Sequence, residues 1–261
     1  MQFDIFKKKR LSSLLMLAIL AAFTYGAMII TQYDVIKGFS SIPKSIHWGL
    51  SSFYPTAASL DNLPSILIQL GRTVLTSVAA TTVAAVFALF FSLFGSKVTK
   101  VNNFLSVLSR GTATVFRNID VAAWALILLF SFGQSALTGY FALFFVSFGF
   151  LTRAFIETLD EVGGHSIEAL RATGASYPSI IIQAILPSST PQMMSWILFM
   201  VEMNIRSATL VGILTGTGIG FVFDLYYKSL DYNTASLVVI TIVIVILILE
   251  YLSNYVRRVV L

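Results

Sequence analysis

Two charged residues inside a long apolar stretch, Glu202 and Arg206, are well placed for polar chemistry at membrane depth. Their spacing puts both on one helix face with the acid first, which favours an ion pair. Because a charge near the bilayer centre costs about 2.5–3.5 kcal/mol, both are expected to face the bundle interior. Two interpretations stay open. The residues form an internal pair that locks two helices, or Arg206, partly neutralised by Glu202, lines an anion path with Asn204, Ser207 and Thr209.

A glycine run follows the same stretch, with Gly216, Gly218 and Gly220 at alternate positions. It lacks the Gly-x-Gly-x-x-Gly spacing and the preceding strand that a dinucleotide site requires. We expect it to let helices or backbone approach closely at an outer gate. The phosphate-cradling pattern Gly-x-x-x-x-Gly-Lys-[Ser/Thr] does not occur in the sequence, so energy for any transport must come from another subunit.

Catalytic and metal-binding patterns are not found in the sequence. It has no cysteine, and its histidines, His47 and His165, are too far apart for ligand spacing. Neither a Ser/His/Asp arrangement nor paired carboxylates occur at membrane depth. We therefore predict no metal, no cofactor in this chain and no enzymatic activity. Arg117 and Asp120 allow the same two interpretations as Glu202 and Arg206, of which an ion pair or a lipid headgroup contact is favoured over a place on the anion path. Glu250 is expected to lie near the cytoplasmic face.

A polar segment, residues 157–191, interrupts the apolar sequence. Gly163 and Gly164 are expected to end one helix, and SIEALRAT from Ser166 to form a short capped helix. Two turns of helix are not stable alone in water, so a partner must hold them. From the residues alone, that partner is either the lipid headgroup region or a soluble protein.

Composition defines the elements that position these residues. The chain is 57% hydrophobic and 11% charged, which is typical of a membrane protein. A spanning helix needs roughly 20 apolar residues. Six stretches qualify: 11–30, 70–94, 115–132, 137–158, 180–215 and 235–256. The first is longer than the apolar run of a secretory signal, so we interpret it as a span.

Basic residues orient the bundle. With the N-terminus inside, ten Lys and Arg residues lie in cytoplasmic segments and three in outer ones, as the positive-inside rule requires. Both termini and the polar segment then face the cytoplasm, whereas residues 31–69 and 216–234 face outward or re-enter. The basic residues form no stripe with aromatics, which argues against nucleic acid as a partner.

The polar segment resembles the EAA signature of bacterial ABC importer permeases. The matching positions are Glu168, Ala169, Gly174, Leu186, Pro187 and Pro191, and the second alanine of the signature is Leu170 here. In that family the short helix fits a groove on a cytoplasmic ATPase. The resemblance thus assigns ATPase coupling to Glu168, Ala169, Leu170, Arg171 and Gly174.

A closer resemblance is to the phosphonate importer permease, from about Arg110 onward. It rests on SIEALRATGAS, ILPSSTP, VEMNIRSATLVGILTGTGIG and FRNIDVAAWALILLFSFG. Two departures stand out: the glycine run replaces a glycine pair, and Asn118 replaces a proline. They bear on gate flexibility or substrate preference and leave the fold unaffected.

The resemblance implies an all-α integral membrane protein of the type I ABC importer permease fold, with about six transmembrane helices and a short cytoplasmic coupling helix. It divides the chain into an N-terminal helix with an extracytoplasmic segment (1–66) and a permease core (67–261) with a coupling loop (159–178). The implied assembly is a homodimer in the bacterial cytoplasmic membrane, with an ATPase dimer that binds ATP and Mg²⁺ and an outer substrate-binding protein or lipoprotein.

The cargo is then phosphonate or a related phosphorus oxyanion, whose geometry suits the planar guanidinium of arginine. Three alternatives stay open. Two belong to the same class: another anion such as phosphate or phosphite, and a different small nutrient. The third is a self-contained channel, which would need a repeated polar filter that the sequence does not show.

Overall fold

The computed structural model describes the backbone of residues 2–172 and 174–260 and the side chains of residues 7–162 and 174–258. Every regular element in that part is helical. A 3₁₀ turn at Ala58–Asn62 precedes α3, and a π turn at Ile181–Ile185 precedes α8. The α-helices are α1 Gln2–Thr31, α2 Val35–Ser52, α3 Leu63–Gly95, α4 Asn103–Asn118, α5 Val121–Phe132, α6 Ala136–Ala172, α7 Tyr177–Ile180, α8 Leu186–Thr215, α9 Gly218–Lys228 and α10 Tyr232–Val260.

The chain divides into two compact units, Met1–Tyr54 and Pro55–Leu261. The first holds α1 and α2, joined by a turn at Gln32, whose φ is 52°. Asp34 caps α2 by accepting a hydrogen bond from the Lys37 amide at 3.0 Å. The predicted outer segment, residues 31–69, therefore contains a helix of its own, and the predicted domain boundary at residue 66 stays a prediction.

Five helical stretches of the described chain are long and apolar enough to cross a membrane. They are Lys7–Thr31, Ala58–Gly95, Ala136–Val162, Tyr177–Thr215 and Tyr232–Arg258. A sixth span is possible if α4 and α5 cross together as a bent pair. The prediction of an all-α membrane protein with about six spans is confirmed.

The third predicted span, residues 115–132, is not one straight helix. α4 and α5 meet at 93°. Asp120 is extended and caps α5, accepting a hydrogen bond from the Ala122 amide at 2.9 Å. The Asp120 carboxylate thus caps the N-terminus of α5. One interpretation of the sequence expected an ion pair between Asp120 and Arg117, and within the described residues that pair is not formed. α5 alone is about 18 Å long, too short for a hydrocarbon core of about 30 Å.

The core of the second unit forms where α3, α4, α5 and α8 pack around α6. Buried residues there include Ala84, Phe148, Leu151, Phe155 and Met200. Gly149 of α6 is buried, and a Cβ there would overlap the backbone at Arg117, so the end of α4 crosses α6 at this glycine. Small residues at crossings suit a membrane bundle, because helices in lipid associate by close packing rather than by the hydrophobic effect.

The predicted helix break at Gly163–Gly164 is not present. α6 continues through both glycines to Ala172, so the helix predicted from Ser166 is the last part of α6. A helical glycine costs only about 1 kcal/mol relative to alanine, so a glycine pair need not end a long helix. Gly174 follows with φ of 80°, a conformation that strains any residue with a Cβ.

Candidate functional site

The two ends of the second unit carry different chemistry. At one end α3 and α6 begin and α8 turns into α9; we call this the α9 end. At the other, α3 ends and α6 approaches the polar segment; we call this the Asp160 end. The predicted gate glycines lie at the α9 end, and the residues predicted to couple to an ATPase follow the Asp160 end along the chain.

The predicted gate glycines lie where α8 ends and α9 begins. Gly216, with φ of 67°, ends α8, and Gly218, with φ of 65°, begins α9. A Cβ on Gly220 would overlap the Thr209 carbonyl, and one on Gly212 would lie 2.5 Å from the Thr217 carbonyl oxygen. α8 and α9 therefore touch backbone to backbone, and no pattern in the sequence points to Gly212 as part of this contact.

A threonine of α3 holds this turn in place. Thr73 Oγ1 accepts a hydrogen bond from the Ile219 amide at 2.9 Å, and a Cβ on Gly218 would lie 2.6 Å from the same oxygen. The Thr73 hydroxyl in turn donates to the Gln69 carbonyl at 2.9 Å. The α8–α9 turn is thus fixed to α3 at one buried hydroxyl.

Beside this turn lies a cavity of about 360 Å³, which we call the Arg72 cavity. α3 contributes four polar residues, the α8–α9 turn contributes Thr217, and α6, α8 and α9 contribute small and apolar residues. Of the described residues that line it, Arg72 alone carries a charge. The lining consists of Gln69, Arg72, Thr73, Thr76, Ala136, Gly139, Leu143, Ala208, Val211, Gly212, Gly216, Thr217, Gly218 and Phe221.

Asn204, predicted to line a substrate path, is buried in the core. Its side-chain amide donates to Thr81 Oγ1 at 2.8 Å and to Ser147 Oγ at 2.6 Å, and its backbone carbonyl accepts from Ser77 Oγ at 3.4 Å. We call these residues the Asn204 network. It joins α3, α6 and α8, so Asn204 holds these helices together. Ser207 and Thr209 are half-buried.

Glu202 and Arg206 form the predicted ion pair, within a larger group that we call the Glu202 cluster. Arg206 also lies 3.5 Å from Glu250, and Arg257 lies 3.5 Å from Glu202. Two acids and two bases alternate between α8 and α10, so the positive charge of Arg206 is matched by carboxylates. Glu250 therefore contributes an ion pair to the bundle in addition to its predicted place near one membrane face.

The Asp160 end carries a compact polar group, the Asp160 cluster. Asp160 Oδ1 accepts hydrogen bonds from Ser96 Oγ and the Lys97 amide, both at 2.6 Å. Its other oxygen lies 3.3 Å from Nη2 of Arg110, and Arg110 Nε donates to the Gly95 carbonyl at 2.7 Å. One carboxylate of α6 thus holds the end of α3 and the side of α4.

The residues predicted to couple to an ATPase follow this cluster along the chain. The side chains of Glu168, Ala169, Leu170 and Arg171 lie outside the described residues, and their backbone belongs to α6. Gly174 is exposed. Just beyond it, the Tyr177 hydroxyl donates to the Thr99 carbonyl in the loop between α3 and α4. The part of the polar segment between Asp160 and Tyr177 is therefore held to the bundle at both of its ends.

A second cavity of about 400 Å³ lies at the bend between α4 and α5. Arg117 and Asn118 line it from α4, and Arg153 and Glu157 from α6. Arg153 Nε is 2.6 Å from Glu157 Oε1, so one of its two arginines is neutralised.

The structure resembles solved ABC transporter chains. It aligns with an amino acid ABC transporter at a TM-score of 0.67 and 15% identity, covering 77% of this chain and 96% of that one. It aligns with the inward-facing MetNI methionine ABC transporter at a TM-score of 0.63 and 19% identity, covering 76% and 98%. These identities show the fold alone, which is that of a type I ABC importer permease, as expected.

Sequence relatives carry names from phosphorus transport. The chain is 24% identical over 260 residues to the phosphite transport system permease protein HtxC of Stutzerimonas stutzeri, covering 99% of this chain and 90% of the relative. It is 26% identical over 149 residues to the phosphate-import permease protein PhnE of Mycolicibacterium smegmatis, covering 57% of this chain and 28% of the relative.

A multi-span helical bundle with a charged cavity at one end and a fastened polar segment at the other defines a membrane transport subunit. The chain belongs to the family of binding-protein-dependent transport system inner membrane components, whose model matches residues 85–260. It is the permease of a binding-protein-dependent ABC importer, and the resemblance to the phosphonate permease branch is confirmed.

Proposed function

We propose that the chain carries a phosphorus oxyanion, such as phosphite, phosphonate or phosphate, across the bacterial inner membrane. The observation that carries this proposal is the similarity to a phosphite transport permease along 99% of the chain. The Arg72 cavity supports it, because the one charge among the described residues of its lining is an arginine, which suits an anionic cargo.

The proposed machine is a homodimer of this chain with two ATPase subunits, which bind ATP and Mg²⁺, and an outer binding protein or lipoprotein. The ATPases dock at the Asp160 end, against residues 163–173, and the binding protein docks at the α9 end. This orientation follows the distribution of basic residues and places both termini in the cytoplasm. ATP-driven closure of the ATPases moves the α6 end, and the bundle shifts between outward-open and inward-open states.

Uptake by the reconstituted complex tests the cargo. The permease, its ATPase and its binding protein are placed in proteoliposomes with ATP inside, and uptake of labelled phosphite, methylphosphonate, phosphate and methionine is compared. ATP-dependent uptake of a phosphorus oxyanion, with methionine at background, is expected. Uptake of methionine without uptake of any phosphorus compound would overturn the proposal.

Coupling is tested by charge reversal on α6. Glu168→Lys is expected to leave the permease in the membrane, lower co-purification of the ATPase and abolish uptake; deletion of residues 163–173 should do the same. Glu161→Lys is the matched control, because Glu161 is an exposed acid of the same helix, nearer the bundle. Normal ATPase co-purification and uptake by Glu168→Lys would disprove the coupling role.

A further inference from the structure

We propose that the Arg72 cavity is an oxyanion-binding site of the permease, with Arg72 and Gln69 of α3 as its two donors. The cargo's identity rests on the proposed function, whereas the binding of an anion rests on the cavity itself. The site differs from the path that the sequence predicted around Arg206.

Its place inside an apolar helix distinguishes Arg72 from the other arginines. Arg110, Arg153, Arg206 and Arg257 each form an ion pair with a carboxylate. Within the part of the chain that the structure describes, four arginines form no such pair. Of these, Arg10 precedes the apolar part of its helix, and Arg117 and Arg258 lie in the last turns of theirs. Arg72 lies inside α3. It is also the single charged residue of α3, nine residues after Leu63 and so about 14 Å along the helix. A charge at such depth is costly without a counter-ion or water, which an open cavity can supply.

The hydrogen bonds of the lining show which groups are free to donate. The Thr76 hydroxyl donates to the Arg72 carbonyl at 2.9 Å, and the Thr73 hydroxyl to Gln69. Thr215 Oγ1 donates to the Val211 carbonyl, so the Thr217 hydroxyl, 2.9 Å away, donates to Thr215. The hydroxyls are therefore occupied.

The Arg72 guanidinium and the Gln69 amide remain as donors, because within the described residues neither side chain has a hydrogen-bond partner. They lie three residues apart on α3, so their side chains share one face of the helix. The planar guanidinium can bind two oxygens of a tetrahedral oxyanion, while the amide reaches a third.

Two donors make a weak site, which suits transport. A permease must release its cargo, so its sites bind weakly enough for the ion to leave. The adjoining α8–α9 turn is fixed to α3 through Thr73, next to Arg72 in the chain. An anion on Arg72 therefore lies beside the contact that holds this turn.

Cysteine labelling tests the electrostatics independently of transport. The chain has no cysteine, so Thr76→Cys places a single thiol of this chain in the cavity, one turn from Arg72. In the intact complex, the ratio of its labelling rates with anionic and cationic methanethiosulfonate reagents is measured. Arg72→Gln should lower that ratio about tenfold or more, as loss of a nearby charge predicts, and phosphite should slow labelling when Arg72 is present. Lys228→Gln, a loss of one charge at the same end outside the cavity, should leave the ratio unchanged.

Uptake separates this inference from the proposed function. Arg72→Gln should raise the KM for phosphite about tenfold, and Arg72→Lys should restore part of the affinity, because lysine keeps the charge without the planar fork. Labelling with a neutral reagent at the wild-type rate shows that the variant is folded. If the wild-type complex moves no phosphorus oxyanion but Arg72 still controls the labelling ratio, the proposed cargo is wrong and the anion site stands. If Arg72→Gln changes neither the ratio nor the KM, the anion site is wrong.

Discussion

The Asp160 carboxylate lies 3.3 Å from the Arg110 guanidinium, and its other oxygen accepts two hydrogen bonds from the residues that follow α3. α3, α4 and α6 therefore meet at one acid, immediately before the segment assigned to the ATPase. We expect a displacement of α6 at this point to move both neighbouring helices, because the three helices are joined there by hydrogen bonds to one carboxylate.

Asp160→Ala should lower thermal stability and weaken coupling together. The change leaves Ser96 Oγ, the Lys97 amide and Arg110 Nη2 without the carboxylate that accepts from them, at a cost of about 1–3 kcal/mol. We expect a lower unfolding temperature in detergent and a reduced stimulation of ATPase activity by the loaded binding protein. Glu161→Ala, the exposed neighbour, should match the wild type in both measurements. Wild-type stimulation in Asp160→Ala would show that the cluster plays no part in coupling.

The sequence predicts the spans well because a long apolar run has one stable state in lipid. It does not reveal the bend between α4 and α5, since residues 115–132 read as continuous apolar helix. The bend depends on Asp120 as a helix cap and on Gly149 of α6, which lets α4 approach. Such a contact joins residues far apart in the chain and leaves no local pattern.

The sequence likewise predicts the local features of the site and not those that depend on packing between distant residues. The pair Glu202–Arg206 is visible as a local spacing, and its formation is observed. Arg72 was overlooked because a single charge in an apolar helix has no motif, although its isolation among the residues of α3 was a signal available in the sequence. The burial of Asn204 could not be predicted, because its partners Thr81 and Ser147 belong to two other helices.

Gly220→Ala should disrupt the α9 end. An alanine Cβ would overlap the Thr209 carbonyl, so α8 and α9 must separate, at a cost of about 1–3 kcal/mol or more. Uptake and thermal stability are both expected to fall. Gly111→Ala is the control, since a Cβ there meets nothing within 4 Å and alanine favours a helix. Equal stability of the two variants would contradict the close approach of α8 and α9.

Asn204→Leu should destabilise the bundle without changing substrate affinity. It leaves the Thr81 and Ser147 hydroxyls without the amide that they accept from, which costs about 1–3 kcal/mol. Thermal unfolding and the KM for uptake are measured on the same preparation. Thr82→Val removes an exposed hydroxyl of α3 that bonds only within its own helix, so it should have little effect. A raised KM at wild-type stability would instead place Asn204 in the substrate path.

The Glu202 cluster allows a double-mutant cycle that separates the two interpretations of Arg206. Glu202→Ala should be the more damaging single change, because it removes a carboxylate from both Arg206 and Arg257, whereas Arg206→Ala leaves Glu202 paired with Arg257. The double variant should be more stable than the sum of the single effects predicts, since each single change leaves a charge without one of its partners, whereas the double change removes both members of the pair. We expect it to retain most of the uptake, with an unchanged KM. A folded double variant with a strongly raised KM would show that Arg206 contacts the cargo.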